Sequence, residues 1–389
     1  MARNNISFVN SPGGLGRLPA TEDHVSAIII DLAASPAGWS DLVAQKYLSL
    51  QEAEAHGIID GDANYGILWY FIREFFRVSG PAVLYVVNEG HANYDVNKFF
   101  EFTEGKVRQA FVYNTGNFAA LDAKVGTLQT LANNLETLHA PLSVITNVID
   151  EATAIDGASQ SDLRALNSNN VSVIIAGDGS GKGFEIATAL GMNYLPAGGT
   201  LLGALAKANV HENIGWVARF NLAQGSDFQS TVLADGSKLG STAGAILDTL
   251  HDKGYIFTTR HIGIAGSYFV DSHTTTLETS DLAFIENVRT INKAKRDIRS
   301  ILLPDLNAPL YVDPQGKVSP STVKYFESKT ARPLNLMQNA GELSGFSVTI
   351  DPEQDVLATS KLIIQVKLQP VGVARFIEVN IGFTVSIDS

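Results

Sequence analysis

The chain has 389 residues, of which 45% are hydrophobic and 17% charged, with a net charge of −12 and no cysteine. That length suits two or three domains with a sizeable core, and the composition argues against wholesale disorder. The acidic balance disfavours a general nucleic-acid binder, and the missing cysteine excludes disulfides, thiolate chemistry and cysteine-based zinc sites.

In chain order, "MARNNISFVNSPGG" carries no hydrophobic signal core, and no apolar run reaches the length of a membrane span. Cytosolic synthesis without standard export or membrane insertion is therefore expected. Residues 1–24 read as an arm: Ile6, Ser7, Phe8 and Val9 form a short strand candidate, followed by the turn-rich "NSPGGLGRLPATEDH". From Val25 an α/β pattern begins. "VSAIIID", "AVLYVVN", "KVRQAFVYN", "LSVITNVID" and "VSVIIAG" are strand candidates. Helices are predicted at "SLQEAEAHG", with Ser49 and Glu52 spaced as a capping box, at "NYGILWYFIREFFRVS" up to Gly80-Pro81, at "LDAKVGTLQTLANNLETLH" and briefly at "SQSDLRALNS". Alternating strands and helices imply a layered domain with several parallel strands, residues 25–200.

After about residue 200 the texture changes. "GTLLGALAKANV" predicts a short helix; "IGWVARF" fits strand and helix equally. "GAILDTLHDKGYIFTTRHIGIAGSYFVDSHTTT" reads as a helix and two strands. "SDLAFIENVRTINKAKRDIRSILLPDL" reads as a long helix capped by Ser280 or Asp281 and stopped by Pro304, and a further helix is expected within "SPSTVKYFESKTARPLNLMQN". "FSVTID", "KLIIQVKLQ" and "GVARFIEVNIGFTVSI" alternate with period two. The expected fold is thus α/β followed by α+β, in segments 1–24, 25–200, 201–378 and 379–389, with extended strand arms at both ends.

Three stretches imitate chemical motifs. In "VSVIIAGDGSGKGFEIATALG", Gly177 precedes Gly181-Lys182 by one residue too few for a phosphate loop, and Gly183 offers no hydroxyl for Mg²⁺. A glycine turn is the plainer reading; the alternative, an α/β nucleotide-binding enzyme using Gly177–Lys182, predicts a saturable ligand and dependence on Lys182. Asp60, Asp62 and Asn64 have calcium-loop spacing, but the glycine falls one place late and the twelfth position is Phe71. His261, Asp271 and His273 are close in sequence, yet neither HExxH nor GxSxG accompanies them. No catalytic residue, cofactor or metal is assigned.

The long helix says more. Arg289, Lys293 and Arg296 share one helical face, widened by Lys295 and Arg299. Phe284, Val288, Ile291, Ile298 and Leu302 make an apolar stripe. Concentrated positive charge on an acidic chain suits docking on an acidic partner. A solvated helix face is the plainer alternative. Strand-forming arms at both termini suit addition to another chain's sheet edge, unless both fold back on their own subunit.

Segments spread over nearly the whole chain carry a resemblance: "GGLGRLPATEDHVSAII", "SLQEAEAHGI" with "YFIREFF", "GTLLGALAKANVHENIGWV", "LHDKGYIFTTRHIGIAGSYFVDSHTTT", "YVDPQGKVSP" and "QPVGVARFIEVNIGFTV". In pattern and order the chain resembles contractile tail sheath proteins of phages, R-type bacteriocins and injection machines, and especially the sheath-like family of Bacteroidetes and Mu-like elements. The resemblance implies an outer α/β domain and a tube-facing core domain. It implies a non-enzymatic subunit that polymerises as stacked six-fold rings around an inner tube and contracts to drive it through a target envelope. Self, the tube protein, and baseplate and terminator proteins are the implied partners, with assembly in the bacterial cytoplasm into a virion tail or injection particle. Arg289, Lys293 and Arg296, then Lys295 and Arg299, become the implied tube contact. Ile6, Ser7, Phe8, Val9, Ile381, Phe383, Val385 and Ile387 become the exchanged strands. A smooth, non-contracting filament fits the same residues.

Overall fold

A computed structural model describes residues 22–384. A single 3₁₀ turn, Glu22–His24, leads into β1 (Ser26–Ile30). There follow β2 (Ala44–Tyr47), α1 (Leu50–Ala55), α2 (Gly66–Ser79), β3 (Leu84–Asn88), α3 (Val96–Thr103), β4 (Gln109–Val112), α4 (Phe118–Thr137) and β5 (Ser143–Asn147). Next are β6 (Val171–Ile174), β7 (Ala176–Asp178), α5 (Lys182–Ala189), α6 (Gly198–Lys207), β8 (Thr231–Leu233), α7 (Gly244–Asp252), β9 (Tyr255–Ile256), β10 (Thr258–Thr259), β11 (Tyr268–Phe269) and α8 (Ile285–Leu302). The chain continues through α9 (Pro320–Asn339), β12 (Gly345–Thr349), α10 (Val356–Thr359) and β13 (Gln365–Gln369).

Seven strands form one sheet in the order β2-β3-β1-β4-β5-β6-β9, with only the β2–β3 pair antiparallel. Side-chain alternation explains why its strands read as continuous apolar runs. Ile28, Ile30, Leu84 and Val86 enter one core with α2 and α6; Ala27, Ile29, Tyr85 and Val87 enter another on the opposite face, with α3 and α4. Helix α6 lies against α2, and every residue from Gly198 to Ala206 is buried. Glycine is required at this crossing: a Cβ on Gly199 would meet Phe71 O at 2.4 Å, and one on Gly203 would meet Phe75 O at 2.7 Å.

Ser49 caps α1, accepting from Glu52 N at 3.3 Å, while the Glu52 carboxylate reaches back to Leu48 N at 2.7 Å. The structure departs from expectation elsewhere. The sheet does not close at β6, because β9 pairs beside it. Packing divides the chain into two compact units, one ending at Leu306 and one starting at Asn307. Helix α8 starts at Ile285 behind an extended Phe284, without a side-chain cap from Ser280 or Asp281. The physical cause is strand-like pairing: Phe284 bridges His273, and Ile285 N donates to Ser272 O. In the second unit, α9 contains a buried Pro333, and β12 and β13 form a two-stranded antiparallel sheet.

Candidate assembly surfaces

Helical spacing places Arg289, Lys293 and Arg296 together, and the structure turns that face inward. Asp23, in the 3₁₀ turn before β1, accepts from Lys293 Nζ at 2.9 Å and Arg296 Nη2 at 2.8 Å. Arg289 Nη2 reaches the carbonyls of Ala208 at 3.1 Å and Asp23 at 3.4 Å. Burial opposes ionisation of Asp23, but the charges of Lys293, Arg296 and Arg289 outweigh it and hold its carboxyl below the usual range. Burial, joined by the charge of Arg108, brings the Arg296 guanidinium down to about 10. The outward members are Lys295, which pairs with Glu136 at 2.5 Å, and Arg299; both are exposed.

The motif-like stretches are structural. Asp178 folds its carboxylate into the loop where a phosphate would sit, accepting from Gly181 N at 3.0 Å, Ser180 N at 3.1 Å, Gly183 N at 3.3 Å and Phe228 N at 2.9 Å. Burial dominates over those amides and pushes its carboxyl up. A Cβ on Gly181 would lie 2.4 Å from Asp227 Cα. Lys182 points to Asp60 at 2.6 Å, so the phosphate-loop and calcium-loop look-alikes pair with each other. Asp62 spends its carboxylate on Asn64 N and Tyr65 N at the start of α2. His261 lies against Tyr268, away from His273. It is His251 that joins Asp271 and His273 within 4.8 Å. The Arg164 guanidinium stands 3.5 Å from His273 Nδ1, a fixed positive charge that opposes a cation there.

The second unit exposes a different surface. Phe346 and Val348 on β12 face Leu368 and Val366 on β13, and these four side chains are only half-buried although α9 packs on β12. After Pro370, residues 371–383 belong to no strand of the described sheets. Ile377, Val379, Ile381 and Phe383 alternate with Glu378, Asn380 and Gly382, giving one apolar edge in which Ile381 is 94% exposed. Of the expected exchange residues, Ile381 and Phe383 lie on this edge; Ile6, Ser7, Phe8, Val9, Val385 and Ile387 lie outside the described residues.

Against known families, the DUF2586 N-terminal domain matches residues 4–273 and the DUF2586 C-terminal domain matches residues 281–388. The chain belongs to the DUF2586 family. Among solved structures, this DUF2586 chain is similar to the contracted helical sheath of the anti-feeding prophage (17% identity, 98% of both chains covered, TM-score 0.65). It is also similar to the contracted sheath of the extracellular contractile injection system PVC (13%, 99% of both chains, 0.64). A third likeness is to a sheath tail protein from Desulfitobacterium hafniense (10%, 94% of this chain and 100% of that one, 0.55). No curated protein sequence matches the chain. The chain therefore shares its fold with these sheath structures over 94–99% of its length.

Sequence reasoning missed two features of this DUF2586 chain. Asp23 is the partner of the basic helix face from 273 residues away, and only an acid within an otherwise turn-rich arm hinted at it. Glu74 is fully buried and accepts from Arg73 at 2.5 Å, Arg77 at 2.6 Å and Thr200 at 3.0 Å, while Arg73 also reaches Asp227 at 2.6 Å. A charged "RE" inside an aromatic helix was its signal.

Proposed function

We propose that the chain is the sheath subunit of a contractile injection machine. It polymerises as stacked six-fold rings around an inner tube, joins a baseplate and a terminator, and contracts without catalysis to drive the tube through an envelope. It works in an injection particle or virion tail. The observation that carries this reading is the row of exposed apolar residues at 377–383, in a chain that also carries a half-covered hairpin and shares the fold of a contracted sheath over 98% of its length. A segment of alternating exposed apolar residues gains by adding as a strand to the sheet of a second copy. The outer face of α8, Arg299 with Lys295, is the tube contact we favour, because these two side chains are exposed whereas Arg289, Lys293 and Arg296 are turned into the subunit. The glycine loop favours no enzyme, since Asp178 satisfies the amides a phosphate would need. Negative-stain electron microscopy of the purified chain tests the proposal. Hollow tubes or stacked rings are expected, and uniform small particles at every salt and concentration would sink it.

A further inference from the structure

Hairpin tips are usually polar, and the one between β10 and β11 is not. Thr258 and Thr259 pair antiparallel with Phe269 and Tyr268, and residues 260–267 join the two strands. Within this loop Ile262 is wholly exposed and Ile264 about half exposed. One exposed apolar side chain is ordinary; two within three residues make a patch.

The loop is held in shape. Ile264 N closes a turn on His261 O at 3.3 Å, Gly263 takes a φ of 88°, and the His261 ring lies against Tyr268. The Ala265 carbonyl accepts from Tyr268 Oη at 2.8 Å and from Asn221 Nδ2 at 3.4 Å. Ser267 N donates to Asn221 Oδ1 at 3.3 Å, and Ser267 Oγ donates to the Phe228 carbonyl at 2.7 Å. Phe228 is itself strained: it is a buried aromatic residue with a φ of 55°, its amide held by Asp178. Such a conformation persists only where the surroundings enforce it, and it gathers at binding and switch sites. Here it braces the stem of a loop whose outermost side chain, Ile262, buries nothing in its own subunit.

Charge indicates what the tip meets. From Lys253 to Val270 the sequence holds Lys253, Arg260 and His261 and no Asp or Glu, on a chain of net charge −12. Arg260 is exposed and takes part in no ion pair among the described residues. Two copies of so acidic a chain repel each other, so a stable contact between them needs cations inside it. An apolar tip beside an uncommitted arginine meets that need, and the acidic surface of another copy complements it.

We propose that residues 260–264, at the tip of the β10–β11 hairpin, dock on an acidic surface of a second copy of the chain. The place of this contact within a sheath rests on the sheath reading; the contact itself lies apart from both termini. Ile262 supplies the apolar anchor and Arg260 the charge. The bracing at Ser267 and Phe228 lowers the cost of ordering the loop on docking.

Ile262→Ser and Arg260→Gln test this, read by the critical concentration for self-association in sedimentation and by melting of the dilute subunit. Covering Ile262 in a contact strengthens association about 30-fold. Ile262→Ser should raise the critical concentration by that factor and leave melting where it is. Arg260→Gln should raise it about threefold in dilute salt, with the difference gone at about 1 M salt, where screening acts within about 3 Å. Self-association of Ile262→Ser equal to wild type overturns the second copy as the occupant. Lower melting or loss of folding in Ile262→Ser also overturns the proposal, because the tip would then pack within its own subunit. An Arg260→Gln difference that is absent at low salt, or that survives high salt, overturns the acidic surface. Tubes that form equally well with Ile262→Ser keep the sheath reading and sink the hairpin contact. Wild-type protein that forms only small oligomers, lost in Ile262→Ser, sinks the sheath reading and keeps the hairpin contact. A wild-type chain that stays monomeric at every concentration sinks both.

Discussion

Ile381→Ala separates a subunit that uses its C-terminal edge for assembly from one that does not. Ile381 is almost wholly exposed, so the isolated subunit has no packing to lose there; its stability should change by less than about 0.5 kcal/mol. In a polymer the same side chain would be covered by a neighbour's sheet. Removing about three methylene equivalents then costs roughly 2 kcal/mol per junction, about 30-fold in the association constant. The critical concentration for sedimentable polymer should rise by that factor, while thermal melting of the dilute subunit stays put. Asn380→Ser, at the polar position next to Ile381 in the alternating sequence, is the control and should move the critical concentration less than about threefold. Two results would refute the reasoning. A melting temperature several degrees lower would mean that Ile381 packs within its own subunit. An unchanged critical concentration would mean that no neighbour covers it.

Other consequences follow from the buried charges and the glycine loop. Glu74→Gln leaves Arg73 and Arg77 with Asp227 as their remaining carboxylate and should cost about 3 kcal/mol, seen as a lower urea midpoint at constant slope. Lys182→Ala loses only partly exposed ion pairs with Asp60 and Glu185. It should change stability by less than about 1 kcal/mol and leave assembly intact, and calorimetry should detect no ATP binding in either form. The Asp23 carboxyl is depressed in the folded state, so its contribution is present above the unfolded carboxylate value near 3.9 and is lost as pH falls through the lower folded value. The melting-temperature gap between wild type and Asp23→Asn should therefore be full at pH 7 and close below about pH 4.

The sheet was largely legible because its strands are buried on both faces and bounded by glycine or polar turns. The runs at Val25, Val83 and Val171 all became parallel strands. A strand after α7 was legible, but the place of β9 beside β6 was not, because tertiary packing sets it. Helical period correctly put Arg289, Lys293 and Arg296 on one face. A period names a face without naming what it meets, and Asp23 meets this one from 273 residues away. The start of α8 was misplaced for a similar reason, since pairing of Phe284 with His273 overrides the capping preference of Ser280 and Asp281. The glycine spacing already argued against a phosphate loop. That Asp178 occupies the loop in place of a phosphate required coordinates.

The two units solve different physical problems. The first has a sheet covered on both faces and a buried helix crossing, the ingredients of a body that folds on its own. In the second, a hairpin is backed by α9 with its apolar face half-covered, and a two-stranded sheet is marginal in water. Strands added by neighbours would supply what that hairpin lacks, so on the sheath reading part of the stability of the second unit is deferred until assembly. Mutations in the first core should then lower subunit stability and polymer yield together. Substitutions on β12, β13 and the apolar edge should act chiefly on the polymer, and melting curves of dilute and assembled protein would separate the two classes.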